Sequence, residues 1–146
     1  MDVRPMREYH GITPLSWLHR NKVIAMKLAH LHVHTRDRAL AEQFYTDWFN
    51  MRVQRRGGPL TFMSDDAGFE LALMDDEAPD RMPGWFHFGF KLGSADEVLD
   101  LYQRMLDAST PIAKRLFQDS DLAAFRCADP DGYHIEVYWE NPGAAL

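Results

Sequence analysis

Histidines alternate with apolar residues in the segment HLHVH, which begins at residue 30. In a β-strand successive side chains point to opposite faces, so His30, His32 and His34 would share one face. A neutral imidazole can bind a divalent metal, and an imidazole near neutral pH can carry a proton. For any single histidine, a solvated polar sheet face is the simpler interpretation. Three together predict a metal or proton-transfer site whose other members lie elsewhere in the chain.

Three later strand-like segments carry further candidate ligands under the same alternation. Glu70 in FELALM, His87 in WFHFGFK and Glu136 in YHIEVYW each point away from the apolar residues of their segment. Mixed imidazole and carboxylate ligation suits Fe, Mn, Ni, Co or Zn better than Ca²⁺. We therefore expect one divalent transition metal bound by His30, Glu70, His87 and Glu136. A three-residue set that leaves Glu70 facing solvent is the alternative.

The elements that would position these side chains form an internal repeat. Each half is predicted to run strand, helix and three strands, and in both halves the helix cap follows a strand histidine by seven residues: His30 to Asp37, and His87 to Ser94. Each half also places a glutamate on its last strand, so we expect the four candidate ligands at equivalent positions. The predicted elements are strands at about 27–34, 52–56, 60–64, 69–74, 85–91, 112–117, 122–128 and 133–139, and helices at about 38–49 and 95–107.

Composition bounds the class of protein. A chain of 146 residues, 46% of them hydrophobic, suits one globular domain with a real core. The formal net charge of −6 argues against a nucleic-acid partner. We read the one cysteine, Cys127, as a buried strand thiol, since it cannot form an internal disulfide. No apolar run is long enough to span a membrane, so a cytoplasmic protein is expected. Arg52, Arg55 and Arg56 are expected on a solvated edge strand.

Three motifs resemble the vicinal oxygen chelate superfamily, which contains glyoxalase I, the extradiol dioxygenases, fosfomycin-resistance thiol transferases and bleomycin-resistance proteins. They are MKLAHLHVHTRDRALAEQFYTDWFNM, FHFGFKL and DPDGYHIEVYWE, within residues 26–140. The resemblance implies an α+β fold in which two βαβββ modules, 26–75 and 84–140, form a cupped eight-stranded mixed sheet with helices outside. Residues 1–25 would be an N-terminal extension and 141–146 a tail. It also implies a homodimer, frequently with the site shared between subunits.

The resemblance assigns ligands residue by residue. His30, His87 and Glu136 match the ligands shared across much of the superfamily, and Glu70 matches the fourth ligand typical of glyoxalase I. Bacterial glyoxalases bind the glutathione carboxylates through an arginine and an asparagine, where this chain has His34 and Met74. Extradiol dioxygenases carry a tyrosine about ten residues before the glutamate, where this chain has Arg126. Fosfomycin enzymes usually have a threonine at the place of His32.

These features predict a glyoxalase-like isomerase or lyase acting on a small, partly apolar substrate. The metal would chelate two neighbouring substrate oxygens and stabilise an enediolate. Glu136 or Glu70 would carry a proton between adjacent carbons. His32, on the same face as His30, would be either a proton carrier or part of a polar lining, and the two interpretations carry equal weight. The expected substrate-binding residues are His34, Met74, Trp85, Arg126, His134 and Tyr138; for His34 and His134 a merely polar lining is the favoured interpretation. Arg126 would either orient a substrate carboxylate or pair with an acidic surface residue, according to a strand register that the sequence leaves open.

Two other classes stay open. An Fe(II) extradiol-type dioxygenase would act on a catechol-like substrate, and a non-catalytic binding or resistance protein of the same fold would hold a small molecule without turning it over. Metal content and oxygen consumption separate the three classes.

Overall fold

The computed structural model of the protein describes residues 25–144. The first module contains β1 (His30–Thr35), α1 (Arg38–Phe49), β2 (Arg52–Gly57), β3 (Leu60–Ser64) and β4 (Glu70–Asp75). The second contains β5 (His87–Lys91), α2 (Ala95–Asp107), β6 (Ile112–Gln118), β7 (Leu122–Ala128) and β8 (His134–Glu140). Apart from Ala25, the predicted N-terminal extension lies outside the described residues. None of the described helices is long and apolar enough to cross a membrane.

The strands form two four-stranded mixed sheets with the same topology. Their orders are β1-β4-β3-β2 and β5-β8-β7-β6. In each sheet the first strand of the module pairs in parallel with the last, and the other ladders are antiparallel. This confirms the predicted α+β fold of two βαβββ modules. Among the described residues the two sheets are separate rather than one continuous eight-stranded sheet.

Both helices begin and end where the sequence predicts because side chains cap them. Asp37 accepts a hydrogen bond from the Leu40 amide at the start of α1 (3.0 Å), and Asn50 ends the helix in the left-handed region at φ 52°. At α2, Ser94 and Glu97 form a capping box. The first strand begins three residues later than predicted, since its ladder with β4 starts at His30.

One hydrophobic core joins the two modules. Helix α1 buries Ala41, Tyr45 and Phe49, and the Phe49 ring stacks on Phe90 of the second module with centroids 4.3 Å apart. The Cys127 thiol is buried in β7, and that burial raises its pKa to about 12. The prediction of a buried strand thiol is confirmed.

A buried carboxylate fastens the first module to the second. Asp129 opens the turn between β7 and β8, and its Oδ2 accepts a hydrogen bond from the Tyr45 hydroxyl at 2.8 Å. Its Oδ1 accepts from the amides of Asp131 and Tyr133, both at 2.9 Å. Removal from water raises the pKa of Asp129, while these hydrogen bonds oppose the rise. We call Tyr45, Asp129, Asp131 and Tyr133 the inter-module clasp.

The same clasp holds the end of β1. The His34 amide donates to the Tyr133 hydroxyl oxygen at 3.2 Å, and the Arg36 amide donates to Asp131 Oδ1 at 3.0 Å. Strand β1 is therefore tied at its carboxyl end to the start of β8.

Replacing Tyr45 with Phe leaves Asp129 Oδ2 buried without its donor. We expect the free energy of unfolding to fall by about 1–3 kcal/mol, measured by urea denaturation. The Tyr45 hydrogen bond lowers the pKa of Asp129, so the variant's folded pKa is higher still. An acid whose folded pKa is raised loses stability as pH rises through that range, so the deficit should be larger near neutral pH than at about pH 4.

Tyr102→Phe is the matched control, because Tyr102 is half-buried against Phe125 and lies outside the clasp. A Tyr45→Phe variant as stable as this control at both pH values would contradict the assigned role of the clasp.

Candidate metal and substrate site

The second module brings two of the predicted ligands together. His87 on β5 and Glu136 on β8 approach with His87 Nε2 3.5 Å from Glu136 Oε2. The other ring nitrogen of His87, Nδ1, lies 2.9 Å from the Trp85 carbonyl oxygen. A carbonyl can only accept, so Nδ1 carries the proton and Nε2 carries a lone pair. Metal-binding histidines are commonly oriented in this way.

Two acceptor atoms at this distance need a cation or a hydrogen-bond donor beside them, and Arg126 supplies one here. A metal with ligand bonds of about 2.1 Å and tetrahedral angles places its donor atoms about 3.4 Å apart. The separation of 3.5 Å between His87 Nε2 and Glu136 Oε2 fits that spacing. This pair is therefore suited to supply two ligands to one divalent transition metal.

Arg126 lies against both of these side chains. It is directly opposite Glu136 in the β7–β8 ladder; its Nε donates to Glu136 Oε1 at 3.2 Å, and its Nη2 donates to His87 Nε2 at 3.3 Å. Sequence patterning left the facing of Arg126 open, and the structure places it beside the two candidate ligands.

The first module carries the other pair. His30 on β1 is exposed and lies directly opposite Glu70 on β4. Arg55 of the edge strand β2 donates two hydrogen bonds to Glu70, at 2.8 and 3.0 Å. This guanidinium is the main reason that the pKa of Glu70 lies below its usual value, and His30 adds to the effect. The edge position of Arg55 was expected from the sequence, but its pairing with Glu70 was not.

The strand register shows that the two glutamates are not equivalent. His30 lies opposite Glu70, whereas His87 lies opposite His134 and Glu136 is two residues further along. Within the repeat Glu70 therefore corresponds to His134, and Ala72 corresponds to Glu136. The expectation of four equivalent ligand positions does not hold, because alternation fixes the face of a residue but not a shift of two.

Two matching turns support this register. Asp65 accepts from the Phe69 amide at 2.8 Å, as Asp129 accepts from the Tyr133 amide at 2.9 Å. The fourth residue of each turn is a glycine with positive φ, Gly68 at 81° and Gly132 at 90°. The sequence signal was present as DDAGFE against DPDGYH, which aligns Glu70 with His134.

The four predicted ligands remain in two pairs. Between residues 25 and 144, no three His, Cys, Asp or Glu side chains come together in a group that could hold a metal ion. His30 with Glu70 forms one half-site, and His87 with Glu136 forms the other. The described part of one chain thus presents two incomplete donor sets.

A groove of about 420 Å³ starts at the second half-site. Its lining includes His87, Gly89, Leu122, Ala124, Glu136 and Tyr138. Gly89 allows close approach here, since a Cβ at that position would lie 3.2 Å from the Tyr138 ring. Tyr138 therefore lies where a pocket residue was predicted. Trp85 is 75% exposed and, like Met74, is not part of this lining.

The three remaining histidines have different surroundings. His34 Nδ1 lies 2.7 Å from Asp76 Oδ2, which lowers the pKa of Asp76 and favours a structural role for His34. His32 is exposed, with its ring centroid 5.3 Å from that of His34. His134 lines a separate cavity of about 340 Å³ with Arg36 and Asp131.

This chain aligns with several solved structures of similar fold over almost the full length of each of those structures. A possible glyoxalase from Bacillus cereus is 28% identical with a TM-score of 0.68, over 77% of this chain and 98% of that chain. The fosfomycin resistance protein FosX from Listeria monocytogenes is 16% identical with a TM-score of 0.70, over 82% and 97%. The oxidase ChaP-H2 is 19% identical with a TM-score of 0.67, over 83% and 98%. The last two likenesses show the fold alone.

The comparison with curated proteins returns no match. Residues 27–137, which include both half-sites and the inter-module clasp, match a family model over most of the chain. The chain therefore belongs to the Glyoxalase/Bleomycin resistance protein/Dioxygenase superfamily.

Proposed function

We propose that the protein is a metal-dependent, glyoxalase-like isomerase or lyase that acts on a small molecule with two adjoining oxygens. The observation that carries the proposal is the pair His87 and Glu136. Its two acceptor atoms lie 3.5 Å apart, and the Nδ1 proton of His87 is held by a backbone carbonyl. The Nε2 lone pair accepts from Arg126 Nη2 here, and a metal would take the place of that donor between Nε2 and the Glu136 oxygen.

A homodimer would complete the donor set. His30 is exposed on the first module, and within one chain it does not join His87 and Glu136 in a metal-binding group. In a two-fold dimer, a residue of one protomer that contacts a second residue of the partner is matched by the reverse contact. A site shared between the protomers would therefore occur twice. We propose that each site takes His30 from one protomer and His87 with Glu136 from the other.

Glu70 is left out of this ligand set. Both of its oxygens accept hydrogen bonds from Arg55, and its register differs from that of Glu136 by two residues. The three-residue alternative considered for the sequence is therefore the one we adopt. Glu70 instead neutralises Arg55 beside His30.

Side chains of the protein would carry out the proton transfer in this reaction. A divalent metal would supply stabilisation of negative charge on two adjoining substrate oxygens. Glu136 would accept a proton from the carbon that bears the hydroxyl and return it to the neighbouring carbonyl carbon. The hydroxyl proton would pass to the other oxygen, so that the product is an isomer of the substrate. The hydrogen bond from Arg126 Nε orients Oε1 of Glu136 for this transfer. His32, exposed on the face that carries His30, could exchange protons with solvent.

An Fe(II) dioxygenase is the second candidate, favoured by the three-residue set. Two histidines with one carboxylate are the ligands typical of non-haem Fe(II) oxygenases. The dioxygenase and the isomerase share the same proposed metal ligands, so only the reaction distinguishes them. A non-catalytic binding protein would need no metal.

The first prediction of the proposed function is that Glu136 and Glu70 differ in their effect on metal binding. Glu136→Gln should lose bound transition metal, because it removes a charged ligand, whereas Glu70→Gln should retain it. Each variant and the wild-type protein are dialysed, and their metal contents are then compared by atomic emission. Equal metal loss in both variants would restore the four-ligand set, and a metal-free wild-type protein would refute the proposed function.

The second prediction tests the shared site by mixing subunits. His30→Ala and Glu136→Gln homodimers should each bind metal weakly. After the two are unfolded and refolded together, half of the dimers are mixed, and each mixed dimer carries one site with native residues throughout. Tight metal binding should then return to about one quarter of the sites.

The control for this experiment is His30→Ala refolded with a chain that carries both substitutions. No pairing of those chains contains a native site, so no recovery is expected. Absence of recovery in the test mixture as well would show that the site does not span two chains.

The third prediction separates isomerase from dioxygenase. Fe(II)-loaded protein in an oxygen electrode should show no oxygen uptake with a panel of catechols, because proton transfer consumes no oxygen. Sustained uptake that is abolished by Glu136→Gln would instead establish the second candidate.

A further inference from the structure

We infer that the substrate is an anion, a small carboxylate with an adjoining oxygen and an apolar or aromatic body, and that Arg126 binds its carboxylate. The inference rests on the proposed function in one respect, the metal that would bind the adjoining oxygen. Its central contact, between the substrate carboxylate and Arg126, involves the protein alone.

Arg126 has more hydrogen-bond donors than its contacts in the described part of the chain engage. A guanidinium carries five N–H groups in a planar fork that matches a carboxylate. Within the described part of the chain, two of them are engaged, one by Glu136 and one by His87. The Arg126 side chain is 20% exposed and contacts two residues of the groove lining, His87 and Glu136. It can therefore keep hold of Glu136 while donating to a bound molecule.

The charges of the half-sites also favour an anion. Glu136 is paired with Arg126, and Glu70 is paired with Arg55, so each carboxylate already has its own cation. A divalent ion added to these pairs would keep its two positive charges uncompensated. A carboxylate substrate supplies the missing negative charge, which a neutral dicarbonyl compound does not.

The groove sets the shape of the rest of the molecule. Beyond His87 and Glu136 its lining includes the apolar side chains of Phe88, Leu122 and Ala124 and the ring of Tyr138. The Glu140 carboxylate also lines the groove, and it is paired with Lys91. The Tyr138 ring packs against Gly89, where an added Cβ would lie 3.2 Å from it. With a volume of about 420 Å³ the groove suits one ring or a short alkyl chain. The carboxylate at Arg126 and the ring against Tyr138 describe a 2-hydroxy or 2-oxo aryl acid.

Calorimetric titration with three probes tests the inference. Mandelate carries the carboxylate, the adjoining hydroxyl and the ring; methyl mandelate lacks the charge, and lactate lacks the ring. Wild-type protein should bind mandelate more tightly than either of the others. Arg126→Gln should weaken mandelate binding by about tenfold or more and weaken methyl mandelate binding clearly less.

Two further variants locate the contacts. Arg126→Lys keeps the charge but not the planar fork, so its loss should be smaller than that of Arg126→Gln. Gly89→Ala displaces the Tyr138 ring that lines the groove and should weaken mandelate binding more than lactate binding. Arg115→Gln is the matched control, since Arg115 is exposed on β6, away from the groove. Urea midpoints of all variants check that each is folded.

The inference fails if wild-type protein binds the ester as tightly as mandelate, or if Arg126→Gln and Arg126→Lys both bind mandelate as the control does. Metal analysis of the same preparations separates this failure from that of the proposed function. Metal-loaded protein with no preference for the acid overturns the inference alone. Metal-free protein that prefers the acid through Arg126 supports the carboxylate contact and overturns the metal-dependent reaction.

Discussion

The hydrogen bond between Tyr45 and Asp129 is the contact on which the arrangement of the two modules depends. A carboxylate taken out of water is costly unless its oxygens are satisfied, and Tyr45 with two turn amides satisfies both oxygens of Asp129. The same turn accepts the amides of His34 and Arg36. The end of β1 and the start of β8 are thus set by one clasp, and the candidate ligands on those strands lie within a few residues of it.

The two half-sites share one electrostatic design. Each pairs a histidine with a carboxylate and provides that carboxylate with an arginine from a nearby strand of the same sheet. A surface guanidinium–carboxylate pair contributes little to stability. Its value here is positional, since it fixes the orientation of Glu70 and Glu136 before any ligand arrives. Arg126 also touches His87, so the second half-site is the more completely organised of the two.

Local sequence signals predicted most of the fold. Asp37 and the Ser94 capping box marked the helix starts, and the alternation of Phe86, Phe88 and Phe90 predicted a strand. The faces of His30, His87 and Glu136 followed from the same period of two. Register did not follow, because a shift of two residues keeps every side chain on its face. The pairing of Arg55 with Glu70 was equally hidden, since it joins strands that are not neighbours in the sheet. Whether modules meet within a chain or between chains depends on surfaces, which local patterns do not describe.

The turns that precede β4 and β8 share one local structure but differ in their contacts with the rest of the fold. Asp65 and Asp129 make the same amide contact, but Phe69 lacks the hydroxyl with which Tyr133 receives β1. Among the described residues, the hydrogen bonds that cross between the modules at these turns come from the second turn and not from the first. A change of the loop before β4 therefore leaves these bonds intact, whereas the same change before β8 removes the contacts that hold α1 and the end of β1.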